Sequence, residues 1–178
     1  SAFSTKTFGI RLNGGFALGD GRATVLADIA RQSDAGNATG SFDADYFRLQ
    51  GMWMLDALTL GIGYESLGSD NGQGFRTPLA TLHAFNGWAD QFLGTPPTGL
   101  DDLYVKAVYT LKSWSFQVVY HDFSAEAGGG DYGSEIDLAA GRGLGQRYKL
   151  LLKLAAFNAD STAYTDTTKA WLMLTAGF

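Results

Sequence analysis

The sequence predicts an all-β fold, a transmembrane antiparallel β-barrel, on three observations. Apolar and polar residues alternate strictly in runs of about ten, the length a tilted strand needs to cross a bilayer. Short and long polar connections alternate between those runs. The composition is rich in Gly and aromatic residues but poor in charge: of 178 residues 24 are Gly, 13% are aromatic and 17% are charged, against about a quarter charged and roughly 7% Gly in an ordinary soluble domain. An apolar content of 46% excludes disorder, because there is ample surface to bury. The absence of Cys excludes a disulfide framework and a thiolate metal site. No run of 18 apolar residues predicts a membrane-crossing helix. A net charge of −5 argues against a nucleic-acid partner.

Nine strands follow from period two. Phe8, Ile10, Leu12, Phe16 and Leu18 oppose Arg11 and Asn13. Ala23, Val25, Ala27 and Ile29 oppose Arg22, Thr24 and Asp28. Phe47, Leu49 and Trp53 oppose Tyr46, Arg48 and Gln50, and Leu58, Leu60, Ile62 and Tyr64 oppose Thr59 and Glu65. Further on, Leu103, Val105, Ala107 and Tyr109 oppose Asp102, Tyr104 and Lys106, and Trp114, Phe116, Val118 and Tyr120 oppose Ser115, Gln117 and His121. Ile136, Leu138 and Ala140 oppose Glu135 and Asp137. Tyr148, Leu150, Leu152 and Leu154 oppose Arg147, Lys149, Leu151 and Lys153. The last strand sets Ala170, Leu172, Leu174 and Ala176 against Lys169, Trp171 and Met173.

Short connections are predicted at 19–21, 56–57, 111–113 and 141–145, and long ones at 33–42, 66–99, 125–131 and 159–166. Tight turns on one side and larger loops on the other are what an outer-membrane barrel shows. The final alternating segment, Lys169 to Phe178, resembles the C-terminal signal of bacterial outer-membrane barrels, whose last strand ends on Phe. Trp53, Tyr64, Tyr109, Trp114, Tyr120 and Tyr148 share the apolar face and suit the headgroup boundary. If Phe178 ends on the periplasmic side, the first of nine strands begins outside, whereas single-chain barrels have an even strand number. Ser1-Ala2-Phe3 also opens without a signal peptide. The expectation is that residues 1–178 are the C-terminal part of one barrel domain of about eighteen strands; an eight-stranded barrel with a discarded first strand is the alternative.

The 66–99 connection is long enough to carry function. Leu79, Leu82, Phe85, Trp88, Phe92 and Leu93 make a short amphipathic helix or compact fold there reasonable, either extracellular or folded into the lumen. Its residues His83, Phe85, Trp88 and Asp90 are the candidate constriction. The stretch Thr77 to Val105, with Phe85-Asn-Gly-Trp-Ala-Asp90 followed by Gly99-Leu-Asp-Asp-Leu-Tyr-Val105, resembles the alginate-export family of outer-membrane proteins. That resemblance implies an eighteen-stranded barrel, of which nine strands are half.

Facing charge into lipid at mid-bilayer costs about 2–4 kcal/mol per residue. The alternation therefore turns Arg11, Arg48, Lys106, Arg147, Lys149, Lys153 and Lys169 toward the lumen, with Asp28, Glu65, Asp102, Glu135 and Asp137. A stripe of lumen cations raises local anion concentration. The same cations could instead pair with Glu135 and Asp137 as wall structure.

Catalysis is not predicted. Ser115 and His121 lie six residues apart on one strand, roughly 20 Å, and no Gly-x-Ser-x-Gly elbow occurs. Two distant histidines give no transition-metal spacing, and neither Ser69–Gly74 nor Asp122–Asp131 matches an EF-hand loop. No cofactor is expected. The reading is a Gram-negative outer-membrane porin for passive passage of anionic solutes, uronates or an exopolysaccharide among them, with outer-membrane lipid as its surroundings. The alternatives are a plugged structural or adhesive barrel, or a soluble lipocalin-like binding module.

Overall fold

The structure is a computed structural model that describes residues 4–36, 38, 40–77 and 85–177. Nine long strands form a single antiparallel sheet. They are β1 (Thr5–Leu18), β2 (Gly21–Asp34), β3 (Asp43–Leu55), β4 (Leu58–Leu67), β7 (Leu100–Leu111), β8 (Trp114–Ser124), β9 (Asp131–Leu144), β10 (Tyr148–Ala159) and β11 (Thr167–Ala176). Each pairs with its neighbour in sequence. Two short strands, β5 (Ser69–Asp70) and β6 (Gln73–Gly74), make a hairpin of their own inside the longest connection. The sheet turns large apolar side chains outward, which speaks against the soluble lipocalin-like alternative.

Antiparallel order sends successive connections to opposite ends. Residues 19–20, 56–57, 112–113 and 145–147 turn tightly at one end, and 35–42, 68–99, 125–130 and 160–166 connect at the other. The predicted turn at 141–145 starts later than its glycines indicated, since β9 runs on through Leu144. Gly141 and Gly143 stay in the ladder opposite Leu151 and Lys149, and pairing overrides their weak strand preference. The β5–β6 hairpin went unpredicted although Asn71-Gly72 announces it. Both residues have positive φ, 50° and 73°, the geometry a two-residue hairpin turn needs.

Register fixes the faces. One outward ladder reads Ile10, Ile29, Phe47 across β1–β3, and another Leu60, Ala107, Val118, Leu138, Leu154 and Ala170 across the remaining strands. This face is a continuous apolar band: Ile10 is 61% exposed and Leu172 72%. Charge begins only at its borders, with Arg31, Asp43, Asp45, Asp101 and Asp122 toward the long connections and Arg142 toward the short turns. Trp53, Tyr109, Trp114 and Tyr148 lie on this face within a few residues of the short turns, and Tyr64 and Tyr120 nearer the other border. A charge-free belt between aromatic residues is a lipid-facing surface.

The core lies on the opposite, inner face, at the long-connection end. Phe92, from the 68–99 connection, packs against Phe123 and Tyr164 with ring centroids 4.6 and 5.1 Å away, and against Tyr132 and Phe157. Phe123 and Phe157 are 0% and 2% exposed. A lone sheet has no inside; this one acquires a core because its own long connection folds onto it.

Candidate functional site

The inner face carries a row of charges across the sheet. Arg11 pairs in register with Asp28, Asp28 with Arg48, Arg48 with Glu65 and Glu65 with Asp102. Opposite charges placed directly across strands attract, by tenths of a kcal/mol up to about one each. Arg11 donates to both oxygens of Asp28 at 2.6 and 2.9 Å. Arg48 donates to Gln50 Oε1 at 2.6 Å, an acceptor it shares with the Tyr104 hydroxyl. Tyr46 donates its phenol to Glu65 at 2.6 Å.

The 68–99 connection closes over this row. Asn86 donates its amide to Glu65 and Asp102, at 3.1 and 3.2 Å. The backbone N–H groups of Trp88 and Ala89 both donate to Glu135 Oε1, at 2.5 and 2.7 Å. Asp90 accepts from Lys169 Nζ at 2.7 Å, and Gln91 donates to the Thr167 hydroxyl. The Lys153 ammonium sits 3.9 Å from the centre of the Trp88 ring and 5.0 Å from that of Trp171. Nearer the rim, Gln32 and Arg76 exchange two hydrogen bonds through the Arg76 backbone. Between this connection and β1–β4 a cavity of about 300 Å³ remains, walled by Arg11, Tyr46, Arg48, Phe75 and Phe85.

These contacts locate each candidate residue. Arg11, Arg48, Lys106, Lys149, Lys153 and Lys169 are inward, and Arg147 lies in the short turn before β10. All are half-buried or exposed. Asp28, Glu65, Glu135 and Asp137 are also inward, but each is buried. The structure brings Trp88 to Glu135 and Lys153, and Asp90 to Lys169. Glu135 accepts the backbone amides of Trp88 and Ala89. Phe85 borders the cavity, and Phe85 to Leu93 is a series of turns, not a helix. Leu79, Leu82, His83 and Phe178 lie outside the described residues.

Sequence reasoning missed the surroundings of His121. Its sequence neighbour Asp122 points to the other face, as adjacent strand residues must. Across the ladder, Asp102 of β7 meets His121 Nδ1 at 2.8 Å, and Asp137 of β9 lies 3.9 Å from Nε2. Glu135 stands on the same inner face as Asp137, two residues away. Three carboxylates and an imidazole thus form a closed inner cluster, and only the register reveals it. In the 160–166 connection, burial against the aromatic core raises the Tyr164 phenol above its ordinary value.

No family model and no curated protein matches the sequence. Solved structures do match. The chain is similar to Pseudomonas aeruginosa OccK2 (OpdF) with a TM-score of 0.78 at 18% identity, covering 96% of this chain and 49% of that one. It is similar to OccK9 (OpdG) at 0.74 and 16%, over 96% and 46%, and to OccK5 (OpdH) at 0.70 and 13%, over 96% and 51%, both also from Pseudomonas aeruginosa. The chain spans about half the length of these outer-membrane porins. At such identities the likeness is one of fold, and it supports the porin barrel without the alginate-export type. Together with the apolar belt, it shows the fold of a transmembrane β-barrel wall, nine antiparallel strands that make up part of such a barrel.

Proposed function

We propose that this chain forms part of the wall and the constriction of an outer-membrane channel for passive, anion-selective diffusion. One observation carries the reading. On the inner face every acidic residue of the strands' mid-region is buried, Asp28 at 5%, Glu65 at 8%, Asp102 and Glu135 at 1% and Asp137 at 0% exposed, while Arg11 and Lys149 are exposed and Arg48, Lys106, Lys153 and Lys169 half-buried. The protein is acidic overall, yet the charge it offers to a solute on that face is positive. Fixed cations along a water-filled path concentrate anions and repel cations. The buried acids serve the connection that narrows the path.

The solute class follows from chemistry alone: small carboxylated molecules, with uronates, single or polymeric, the specific reading. The porin fold leaves that choice open. No chemical step is assigned. His121 has carboxylate partners, but Ser115, the one hydroxyl considered as its nucleophile, lies six residues along the same strand. The test is single-channel recording of the full-length natural protein in a planar bilayer under asymmetric salt. Steady anion-selective openings that added polyuronate reduces are expected. Cation-selective openings, or silence over many insertions, would overturn the proposal, and silence would favour the plugged barrel.

A further inference from the structure

The 68–99 connection reaches the wall through several contacts, but one differs in kind. Two successive backbone amides, Trp88 and Ala89, converge on a single oxygen, Glu135 Oε1, at 2.5 and 2.7 Å. An oxygen that accepts two amides at once is held more firmly than by one, and hydrogen bonds to an ionised acceptor are roughly twice as strong as neutral ones. The approach is tight: Gly87 has φ +83°, and a side chain there would run into the Glu135 carboxylate. The other Glu135 oxygen and both oxygens of Asp137 are buried. Two carboxylates thus stand side by side on the inner face, and the amide pair engages only one of them.

We propose that Glu135 is an acid-sensitive latch: its carboxylate holds the 85–95 segment against the wall, and its protonation releases that segment. Protonation replaces an anionic acceptor with a neutral one and weakens both amide bonds at once. The surroundings make the site responsive. Asp102 and Tyr104 from β7, His121 from β8, Asp137 from β9 and Lys153 from β10 all face it, with Glu65 from β4 linked through Asn86 and the Asp90–Lys169 pair beside it. Glu135 acts as a positioning residue, holding the constriction without itself being proposed to touch the solute. The consequence for flow rests on the channel reading above; the docking itself does not.

The experiment uses the full-length protein in lipid with a nitroxide label on Gly94→Cys, an exposed position of the segment. Between about pH 7.5 and about pH 4.5, a range that spans ordinary carboxylate and imidazole titration, the mobile fraction of the label should rise severalfold in the native background. Glu135→Gln keeps the shape but not the charge, so its label should already be mobile at the higher pH and change little on acidification. Asp137→Asn should leave the label immobile at the higher pH. A label that ignores pH in the native background, or a full pH response retained in Glu135→Gln, would overturn the latch. Bilayer recordings on the same preparations keep the two ideas apart. Acid release without current would sink the channel and keep the latch, and current with a rigid, pH-blind label would do the reverse.

Discussion

The inner wall behaves as two different surfaces along one set of strands. Toward the long connections it is a protein interior: Phe123, Phe157, Leu100 and Glu135 are almost fully buried, and aromatic rings interlock around Phe92. Toward the short turns the same strands present Arg147, Lys149 and small residues such as Gly141 and Gly143, with nothing packed over them among the described residues. The strands do not change in kind between the two ends. What differs is whether a connection folds back, and with it whether the wall's charge is consumed by the protein or left for a solute. Acidic side chains cluster where the connection lies and basic ones extend beyond it.

The largest effect that breaks this contrast is expected from Phe92→Ala. Removing a buried aromatic from a closed cluster costs about 3–5 kcal/mol, here charged to the docking of the connection rather than to the sheet. The melting of the strands, followed by circular dichroism in detergent, should move little, while protease cleavage between residues 85 and 95 should become rapid. Unchanged resistance to cleavage would mean that the packed end is held by its polar contacts alone.

Next comes a test across the wall. Leu152 lies in the middle of the apolar band of β10, with Ala140 and Leu172 beside it in register. Leu152→Lys should destabilise the folded barrel by about 2–4 kcal/mol in lipid vesicles, read by urea titration of the full-length protein. Lys149→Leu, three positions away on the other face, should be close to neutral. Equal effects would mean that the faces are wrongly assigned.

The smallest effect is expected where the charge row reaches an open edge of the packed end. The Arg11 side chain is 63% exposed although its partner Asp28 is buried. Exposed pairs are worth about 0–1 kcal/mol, so Arg11→Met should lower stability by less than about 1 kcal/mol in the same titration. A loss several times larger would show that the row acts as one cooperative network.

The sheet and its faces were readable from period two, because a half-lipid, half-water surface forces every second residue to one solvent. The candidate site was readable only as a direction: Glu135, Asp137 and Lys153 could be turned inward, but not joined to anything. Trp88 meets Glu135 across 47 residues of sequence, a contact set by how the connection folds and by strand register, neither of which alternation encodes. His121 shows the same limit in miniature, since chain proximity offered Asp122 and the ladder supplied Asp102. The β5–β6 hairpin was of another kind; Asn71-Gly72 carried its turn signal in plain view inside a stretch weighed only for calcium ligands.

The central claim is that the accessible cations of the inner wall set the selectivity of a channel. Its most direct test is the reversal potential of the full-length protein under a salt gradient, compared with Lys149→Glu/Lys153→Glu. The account predicts an anion-selective native channel whose reversal potential moves toward the cation value in the double variant, with conductance retained. A reversal potential that does not move would assign these lysines to the wall's own structure and contradict the account.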